Sequence, residues 1–340
     1  MKKKIAAIVQ CILVQGISFI VGSTANAVSW LHVEGNQLKD SSGKNIVLRG
    51  TDTADLDVVA YKQPGIRWVL NRLVDGGDKG FDSKVVRLVI PPDRWNKNPD
   101  VFFNSLLKPA VDYCIKKDIY CIIDWHSFGD ENGQYTSDRV NSELRGFWSY
   151  VAPKFKNVPN IIYELFNEPE YPDSWDTWRK TAQPWVDLIR ASAPRNIILV
   201  GNPLWDTFTK YASTSPFTGS NLMYTVHLYP GNQKSEADYN KMWDDIFGNA
   251  MQSVPVFASE WGYVVDDGVS GCQKGNFCGT TSSFGKPLRN YVENKHPNLN
   301  WSAWDYGYSP SLVDSNYNVL GGDNYEGQFV QQWLRDRKNK

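Results

Sequence analysis

Residues 161–169 read IIYELFNEP, a short and mostly apolar run suited to a buried strand, followed by the polar end Asn167-Glu168-Pro169. Runs of this length and composition, bounded by polar or turn-forming residues, favour strands. Similar runs recur along the chain. The eight strand candidates are residues 46–50, 85–90, 120–126, 161–167, 196–201, 223–229, 255–260 and 301–304.

The segments between these runs show helical periodicity. Residues 102–117 place Phe103, Leu106, Leu107 and Ala110 at the spacing of one helix face, and residues 175–191 and 236–247 are similar. Strands that alternate with helices predict parallel pairing with right-handed crossovers. Eight such units between residues 28 and 340 predict a (β/α)8 TIM barrel of the α/β class. A doubly wound dinucleotide-binding sheet is disfavoured, because no G-x-G-x-x-G follows the first run.

Polar and ionisable residues occur where the strand candidates end. Arg87 lies within the second run, and the ends of the others carry Asp124-Trp125-His126, Asn167-Glu168, His227-Leu228-Tyr229, Glu260 and Trp304. In a TIM barrel the catalytic residues lie at the C-terminal ends of the strands. We therefore expect these side chains to meet at one mouth of the barrel.

Two carboxylates facing each other across a barrel mouth suit the hydrolysis of glycosidic bonds. Glu168 ends the fourth run and Glu260 ends the seventh. One carboxyl group must protonate the departing oxygen while the other attacks the anomeric carbon, and in retaining enzymes the two are about 5–5.5 Å apart. The acid needs a raised pKa, which burial or a nearby negative charge supplies.

Three neighbouring residues would support this pair. Arg87 can keep Glu260 ionised and fix its orientation through a forked, charged hydrogen bond. Tyr229 can donate a hydrogen bond to the same carboxylate. Asn167 can donate to a sugar 2-hydroxyl, a contact that strengthens in the transition state.

The remaining strand-end residues are assigned to orientation and stacking. His126 and His227 can orient carboxylates or contact sugar hydroxyls, and Trp304 can form a stacking floor for a sugar ring. A metal site built from the two histidines with Glu168 and Glu260 is disfavoured, because no H-E-x-x-H or comparable close spacing is present. We expect neither a metal nor a cofactor.

The ordered set of strand-end residues resembles glycoside hydrolase family 5, a family of retaining barrel enzymes. The strings 162–169 and Ser259-Glu260-Trp261-Gly262 are similar to its two catalytic signatures. The resemblance implies that Glu168 is the acid/base and Glu260 the nucleophile. Within the family, the chain looks most like bacterial endo-β-1,4-glucanases (cellulases), so the implied substrate is a β-glucan.

The alternatives are other glycoside hydrolases with the same mechanism and a barrel without catalytic activity. A β-mannanase, a xyloglucanase or an exopolysaccharide hydrolase would use the same mechanism with different subsites. A catalytically inactive carbohydrate-binding barrel is a remoter alternative, since both glutamates and their supporting residues are present. Two departures from the family pattern, Thr51-Asp52 after the first strand and the loop 271–279, border the expected cleft and bear on the substrate.

Charge and domain organisation limit the partners. Lysine and arginine number 36 against 37 acidic residues, for a net charge of −1. Nucleic-acid-binding proteins normally carry a basic stripe, so no such partner is expected. No Pro/Ser/Gly-rich linker and no internal repeat interrupts residues 28–340. We predict one catalytic domain over residues 28–340, acting as a monomer.

Residues 1–27 have the pattern of a signal peptide. Lysines occupy positions 2–4, an apolar stretch covers residues 5–21, and an A-x-A cleavage site lies at residues 25–27. An uncleaved membrane anchor is the alternative, but the run is interrupted by Gln10 and Gln15 and is short for a spanning helix. We expect a secreted protein, extracellular or periplasmic, with no membrane attachment after cleavage.

The cysteines past residue 27 are even in number, which suits an oxidising compartment. Cys272 and Cys278 are expected to form a disulfide that closes a loop. Cys114 and Cys121 could pair or remain buried thiols, and the sequence leaves both possibilities open.

Two acidic residues and one N-glycosylation pattern are expected to lie inside the fold and to have no part in catalysis. Glu164 shares the strand parity of Glu168, so we expect it to be a buried, hydrogen-bonded acid inside the barrel. Asp124 is expected to pair with Arg87 or with a neighbouring strand. The N-x-S pattern at residues 300–302 abuts the last strand, where folding would bury it.

Overall fold

A closed barrel of eight parallel strands forms the centre of the protein. The computed structural model describes residues 28–129, 133–233, 235–266, 268 and 272–338. The strands are β1 (Leu31–Glu34), β2 (Gln37–Asp40), β3 (Arg49–Thr53), β4 (Val85–Ile90), β5 (Tyr120–Trp125), β6 (Ile161–Glu164), β7 (Ile197–Val200), β8 (Leu222–Leu228), β9 (Val256–Trp261) and β10 (Asn300–Tyr306). Strands β3 to β10 pair in sequence order and β10 closes on β3, so the predicted (β/α)8 barrel is confirmed.

Helices follow most of the barrel strands and cover the outer face. They are α1 (Leu56–Tyr61), α2 (Ile66–Val74), α3 (Pro92–Trp95), α4 (Pro99–Phe102), α5 (Lys108–Lys116), α6 (Asp138–Phe155), α7 (Trp175–Ser192), the short turn α8 (Pro203–Asp206), α9 (Glu236–Trp243), α10 (Lys286–Lys295) and α11 (Gly327–Lys338). Short 3₁₀ segments span Thr209–Ser213, Ala250–Gln252 and Cys272–Gly275. Wider π turns span Phe103–Leu107, Asp244–Gly248 and Thr281–Gly285.

Two of the three predicted helices are interrupted where the sequence suggested continuous periodicity. The predicted helix 102–117 contains the π turn Phe103–Leu107 before α5. Pro109 lies just after this turn and has no backbone N–H to donate, which favours a local change of hydrogen-bond pattern. The predicted helix 236–247 is likewise divided: α9 covers Glu236–Trp243, and the π turn Asp244–Gly248 follows it. Helix α7 agrees with prediction to within one residue.

The barrel interior has an apolar lower layer and a polar upper layer. Val85, Ile122 and Ile162 belong to one buried apolar cluster, which also contains Leu31 and Leu38 of the β1–β2 hairpin. Successive side chains of a strand alternate in direction, so residues two positions further along point the same way. Those positions hold the polar residues of the site. The hairpin therefore closes the bottom of the barrel, and the functional layer lies above it.

The predicted first strand, 46–50, was placed about three residues too early. The observed strand β3 is Arg49–Thr53, and every residue in it is buried. Ile46 instead pairs back to the hairpin, where its N–H donates to the carbonyl of Leu38, and it packs on the lower apolar layer. The apolar run thus packs under the barrel, and a more polar segment forms the strand: Asp52 faces Arg87 in the interior, and Arg49 bonds to Glu293 of α10 on the outer side.

Both cysteine pairs form disulfides. The expected Cys272–Cys278 bond is confirmed, and Cys114 bonds to Cys121, which the sequence left open. The second bond ties helix α5 to strand β5. Asn300 of the glycosylation pattern is buried, and its side-chain oxygen accepts from the N–H of Leu48, so the prediction that folding hides it is confirmed.

The predicted signal peptide, residues 1–27, lies outside the described residues. Within the part of the chain that is described, no helix combines the length and apolar character needed to cross a membrane.

The close approach of β3 and β4 requires glycine at position 50. A Cβ on Gly50 would lie 1.7 Å from the carbonyl oxygen of Val85. Because that oxygen belongs to the barrel backbone, we predict that Gly50→Ala lowers the free energy of unfolding by roughly 1–3 kcal/mol or more. Thermal or urea denaturation measures the change.

Gly146 provides the matched control. It lies in helix α6 with open space around it. Gly146→Ala should therefore raise the free energy of unfolding by roughly 0.5–1 kcal/mol. A Gly50→Ala variant as stable as the wild-type protein would contradict the described pairing of β3 with β4.

Candidate active site

Arg87 on β4 is fully buried and bonds to four other side chains of the site. Its Nε donates to Glu164 Oε2 and its Nη1 to Glu260 Oε1, each at 2.6 Å. Its Nη2 donates to Asn167 Oδ1 at 2.6 Å and lies 3.0 Å from Asp124 Oδ2. The guanidinium therefore joins strands β5, β6 and β9 through charged hydrogen bonds, which are the stronger kind. The expected contacts of Arg87 with Glu260 and with Asp124 are present.

Four carboxyl groups surround this single guanidinium, because Asp52 also lies 3.6 Å from Nη1. Burial alone would lower the pKa of Arg87, but the carboxylates of Asp124 and Glu164 outweigh it and raise that pKa well above its usual range. Burial raises the pKa of Asp124 to about 7 even though Arg87 opposes the shift. Burial also raises the pKa of Glu164 and of Asp52. Asp124 therefore titrates near neutral pH.

Asp52 corrects one expectation from the sequence. It was expected to border the cleft, but it is fully buried inside the barrel. Its Oδ1 accepts from the hydroxyl of Ser302, and its other oxygen faces Arg87. Its position in β3, three residues later than the predicted strand, accounts for this difference.

Glu260 lies between two hydrogen-bond donors. Arg87 bonds to Oε1, and the hydroxyl of Tyr229 donates to Oε2 at 2.8 Å. Burial raises the pKa of Tyr229 well above its usual range, so the phenol keeps its proton. The Nδ1 atom of His227 lies 3.4 Å from the same Oε2. Both oxygens of Glu260 are thus fixed in position and face positive or donor groups.

Glu168 has a different environment. It follows β6, and its side chain is 17% exposed. Its Oε1 lies 2.7 Å from Nδ1 of His227. Burial raises the pKa of Glu168 to about 7, although His126 and Arg87 oppose the shift. The group can therefore hold a proton near neutral pH and release it, as a general acid must.

The two glutamates are close enough for double displacement. One oxygen of each, together with a ring nitrogen of His227, lies within 4.8 Å of the other two atoms. Inverting glycosidases separate their carboxyl groups by about 6.5–9.5 Å to admit a water, whereas retaining enzymes hold them about 5–5.5 Å apart. The observed spacing favours the retaining arrangement.

His126 and Trp304 form a flat surface beside the glutamates. Nδ1 of His126 lies 2.7 Å from Asp124 Oδ2, and its ring stacks on that of Trp304 with centroids 5.3 Å apart and planes 8° apart. Burial lowers the pKa of His126, so the ring is neutral near pH 7. The eight predicted site residues therefore all lie at the C-terminal mouth of the barrel.

A cleft of about 650 Å³ opens above these residues. It contains several aromatic and charged residues that sequence reasoning did not select. They are Asp55, Arg94, Phe128, Phe277 and Tyr308. Arg94 belongs to the short helix α3, and the other four come from loops, whose course over the surface has no periodic signal in the sequence.

The Cys272–Cys278 loop forms one wall of the cleft. Its Phe277 lines the cleft and packs against the ring of Tyr229, with centroids 4.5 Å apart. Two backbone bonds anchor the loop, from Val264 N–H to the carbonyl of Phe277 and from Gly231 N–H to the carbonyl of Asn276. The expectation that this loop borders the cleft is confirmed.

A buried acid beneath His227 was also missed. Asp206 lies 3.3 Å from the Nε2 atom of His227 and is fully buried. It belongs to three consecutive residues, Leu204, Trp205 and Asp206, whose φ angles are 56°, 54° and 58°. Left-handed backbone costs on the order of 1–3 kcal/mol per non-glycine residue and persists where the surroundings enforce it. No sequence signal marks this turn, since leucine and tryptophan usually avoid the conformation.

Two buried groups could hold a cation by spacing alone. Among the described residues, Glu164, Asp206 and His227 form one such group, and Glu168, His227 and Glu260 form the other. However, Arg87 already bonds to Glu164 and to Glu260 at 2.6 Å. A metal ion at either position would stand close to this guanidinium, so the donor set suits hydrogen bonding better than metal binding.

Comparison with known proteins places the chain within a family. Residues 40–309 match the family described as cellulase (glycosyl hydrolase family 5). The chain belongs to glycosyl hydrolase family 5. The resemblance inferred from the strand-end residues is therefore confirmed.

Relatives in this family carry cellulase and endoglucanase names. Cellulase CelDZ1 of Thermoanaerobacterium sp is 29% identical over 257 residues, which are 71% of this chain and 63% of that protein. Endoglucanase Z of Dickeya dadantii is 32% identical over 226 residues, which are 66% of this chain and 48% of that protein. The family 5 chain therefore spans less than two thirds of the length of either relative.

A solved structure matches over most of the barrel. The β-glucanase SdGluc5_26A from Saccharophagus degradans aligns with a TM-score of 0.80 at 27% identity, covering 92% of this chain and 94% of that one. The same protein has also been solved in complex with cellotetraose.

We predict that Glu168 titrates with a pKa of about 7, because burial disfavours its ionised form. Carbon-13 NMR of protein labelled at the glutamate side-chain carboxyl measures this titration directly. The signal is assigned by its loss in Glu168→Gln, with the surface variant Glu143→Gln as the control that retains it. Titration of the assigned signal near 4.3, the usual value for glutamate, would contradict the described environment.

Proposed function

We propose that this protein is a retaining glycoside hydrolase that cleaves β-linked glucan, with Glu168 as acid/base and Glu260 as nucleophile. The observation that carries the proposal is the contrast between two neighbouring carboxyl groups. Glu260 accepts from Arg87 and Tyr229, while Glu168 keeps a proton to about pH 7. Pairs of acids whose environments separate their protonation states are suited to acid–nucleophile chemistry.

In the first step the Glu260 carboxylate attacks the anomeric carbon of the bound sugar. The bond from that carbon to the glycosidic oxygen breaks, and Glu168 transfers its proton to this oxygen. The product sugar leaves with a free hydroxyl, and the other part of the chain stays on Glu260 as an ester. Arg87 and Tyr229, by bonding to Glu260, hold it in position for attack.

In the second step water hydrolyses the ester. The Glu168 carboxylate left by the first step accepts a proton from the water as its oxygen attacks the anomeric carbon. Glu260 departs as a carboxylate, and Glu168 is protonated again. Two displacements at one carbon retain the anomeric configuration, as the spacing of the two glutamates favours.

Three residues are proposed to bind the sugar at the cleavage point. Asn167 accepts from Arg87 through Oδ1, which leaves its amide N–H₂ for a sugar 2-hydroxyl. Trp304 offers an aromatic face for a sugar ring, and its stacking partner His126 offers a neutral imidazole edge for hydroxyl groups. These contacts would orient the sugar over Glu260.

The proposed substrate is a β-1,4-linked or mixed-linkage glucan, cut at internal positions. Its support is the endoglucanase and cellulase names of the relatives and the cellotetraose complex of the β-glucanase. A β-mannanase, a xyloglucanase or an exopolysaccharide hydrolase would share the same glutamates and differ in the loops around the cleft. The inactive-barrel alternative is disfavoured because both glutamates keep their partners.

The proposal also covers the domain organisation of the protein and its location relative to the cell. We propose a single catalytic domain over residues 28–340, since one closed barrel carries the side chains of the site, and we propose that it acts as a monomer. The signal-peptide pattern of residues 1–27 and the two disulfides support secretion to the extracellular space or periplasm.

We predict that the purified protein rapidly lowers the viscosity of carboxymethyl cellulose and of mixed-linkage β-glucan. Glu168→Gln should slow hydrolysis by ~10²–10⁴-fold, the usual contribution of general acid–base catalysis, and Glu260→Gln should lose activity at least as completely. The matched control is Glu143→Gln, because Glu143 lies on helix α6 in a surface pair with Arg139.

Release of reducing ends from glucans, mannan and xyloglucan measures the substrate preference. Activity confined to mannan or xyloglucan would reject the glucanase assignment and keep the mechanism. Full activity of Glu260→Gln on any of these polymers would reject the mechanism itself.

A further inference from the structure

Asp206 lies directly beneath the histidine that contacts both glutamates. Its side chain is fully buried. Its Oδ1 accepts from the backbone N–H of Asn202, and its Oδ2 lies 3.3 Å from Nε2 of His227. The opposite nitrogen of that ring, Nδ1, lies 2.7 Å from Oε1 of Glu168. A continuous row of polar atoms thus runs from Asp206 through the imidazole to the proposed acid.

The surrounding fold holds Asp206 in this place. Its backbone is left-handed, and its N–H donates to the carbonyl of Asn202 at 3.0 Å. The side chain of Asn202 in turn donates to the carbonyl of Thr225 on β8 at 2.8 Å and accepts from the N–H of Phe208. Trp205 N–H donates to the carbonyl of Pro169, next to Glu168. Unusual backbone that is anchored on both sides of a site is a reason to look for a role.

Burial and the neighbouring charges determine the protonation states of Asp206 and His227. Burial raises the pKa of Asp206 well above its usual range; hydrogen bonds from Asn202 and Thr225 oppose the shift, and the carboxylates of Glu164 and Glu168 add to it. Burial also lowers the pKa of His227 to about 4. The ionisable groups facing His227 are Arg87 from β4, His126 after β5, Glu164 and Glu168 from β6 and the loop after it, Asp206, and Glu260 from β9. Near neutral pH the ring is therefore neutral, and burial favours the protonated form of Asp206.

We propose that Asp206 is a positioning residue: as a neutral acid it donates a hydrogen bond to Nε2 of His227. The ring then keeps its own proton on Nδ1, and this N–H donates a hydrogen bond to Glu168. This proposal rests on the function proposed above for Glu168. The hydroxyl of Ser259, 3.2 Å from the same Nε2, reinforces the arrangement as a second donor.

This tautomer suits both states of Glu168. When Glu168 is protonated, Oε1 accepts from Nδ1–H, so its own proton stays on Oε2, where it is not shared with the ring. When Glu168 is ionised, the same N–H stabilises the carboxylate. No proton moves along the row during the reaction, and no bond other than the hydrogen bonds changes.

The opposite arrangement is unfavourable. An ionised Asp206 would accept from Nε2–H and leave Nδ1 as a bare lone pair. That lone pair would face Oε1 of Glu168 at 2.7 Å and Oε2 of Glu260 at 3.4 Å. Either two acceptors would oppose each other, or Glu168 would direct its proton to the ring and away from the substrate.

The Asp206→Asn variant distinguishes an Asp206 that donates to Nε2 of His227 from one that accepts from it. The backbone N–H of Asn202 keeps the side-chain oxygen of the new residue in place of Oδ1, so the amide N–H₂ must face Nε2 of His227. The variant is therefore a fixed hydrogen-bond donor, like the protonated acid. Asp206→Ala removes the donor. Asp187→Asn, on the surface of helix α7, is the control for the same change of residue type.

Nitrogen-15 NMR of histidine-labelled protein reads the tautomer without any substrate. The chain has four histidines, and the His227 signals are assigned by their loss in His227→Asn. We expect a protonated Nδ1 and an unprotonated Nε2 for His227 in the wild-type protein and in Asp206→Asn. A protonated Nε2 in the wild-type protein would overturn the proposal. Because this readout needs no hydrolysis, it fails or succeeds independently of the proposed function.

Kinetics on β-glucan supply the second test. In Asp206→Ala we expect kcat to fall about tenfold or more with little change in KM. In the same variant the Glu168 carboxylate no longer accepts a hydrogen bond from Nδ1 of His227, so the pKa of Glu168 rises. The fall of kcat/KM on the alkaline side of its pH profile should therefore move to higher pH. Asp206→Asn should keep the limb of the wild-type protein and a higher kcat than Asp206→Ala. An alkaline limb unchanged in Asp206→Ala, or an Asn variant as impaired as the Ala variant, would contradict the proposal.

Discussion

The guanidinium of Arg87 is the interaction on which the upper layer of the barrel depends. It is buried among Asp52, Asp124, Glu164 and Glu260, and it is hydrogen-bonded in three directions. Removing one partner from a buried charge network costs far more than the pairs contribute in isolation, because the remaining charges lose their compensation. Since its partners come from several strands, Arg87 fixes the positions of those strands relative to one another along the barrel axis. The polar layer of the barrel is stable only as a unit.

The same constraint produces two different carboxyl groups from one residue type. Glu260 lies against the guanidinium and a phenol hydroxyl, whereas Glu168 lies one step away and contacts a neutral imidazole. One positive charge is shared among several acids, so Arg87 opposes the effect of burial on the pKa of Asp124, Glu164 and Glu168 without cancelling it. The difference between Glu168 and Glu260 is thus a consequence of where each strand ends around Arg87. Asp206 extends this pattern below His227, as an acid for which burial is the largest influence on the pKa.

Much of the site could be predicted from the sequence because strands impose simple rules. A period of two places Arg87, Asp124 and Glu164 on the inner face, and parallel order brings the strand ends to one mouth. The start of β3 could not be predicted, since the apolar run at residues 46–48 packs against the hairpin and only tertiary contacts distinguish it from a strand. Asp206 was missed for a similar reason: its left-handed turn is fixed by Asn202 and Thr225, through contacts that no local pattern encodes. The loop residues of the cleft, such as Phe277, follow from chain paths rather than from periodicity.

The most direct test of the central claim is to trap the covalent intermediate. A 2-deoxy-2-fluoro-β-cellobioside with a good leaving group should esterify the nucleophile and slow its release, because fluorine at C2 destabilises the positively charged transition state of both steps. Peptide mass spectrometry after proteolysis locates the added sugar. The account predicts one disaccharide per protein, attached to Glu260. A sugar attached to another residue, or release of product with inverted configuration, would contradict it.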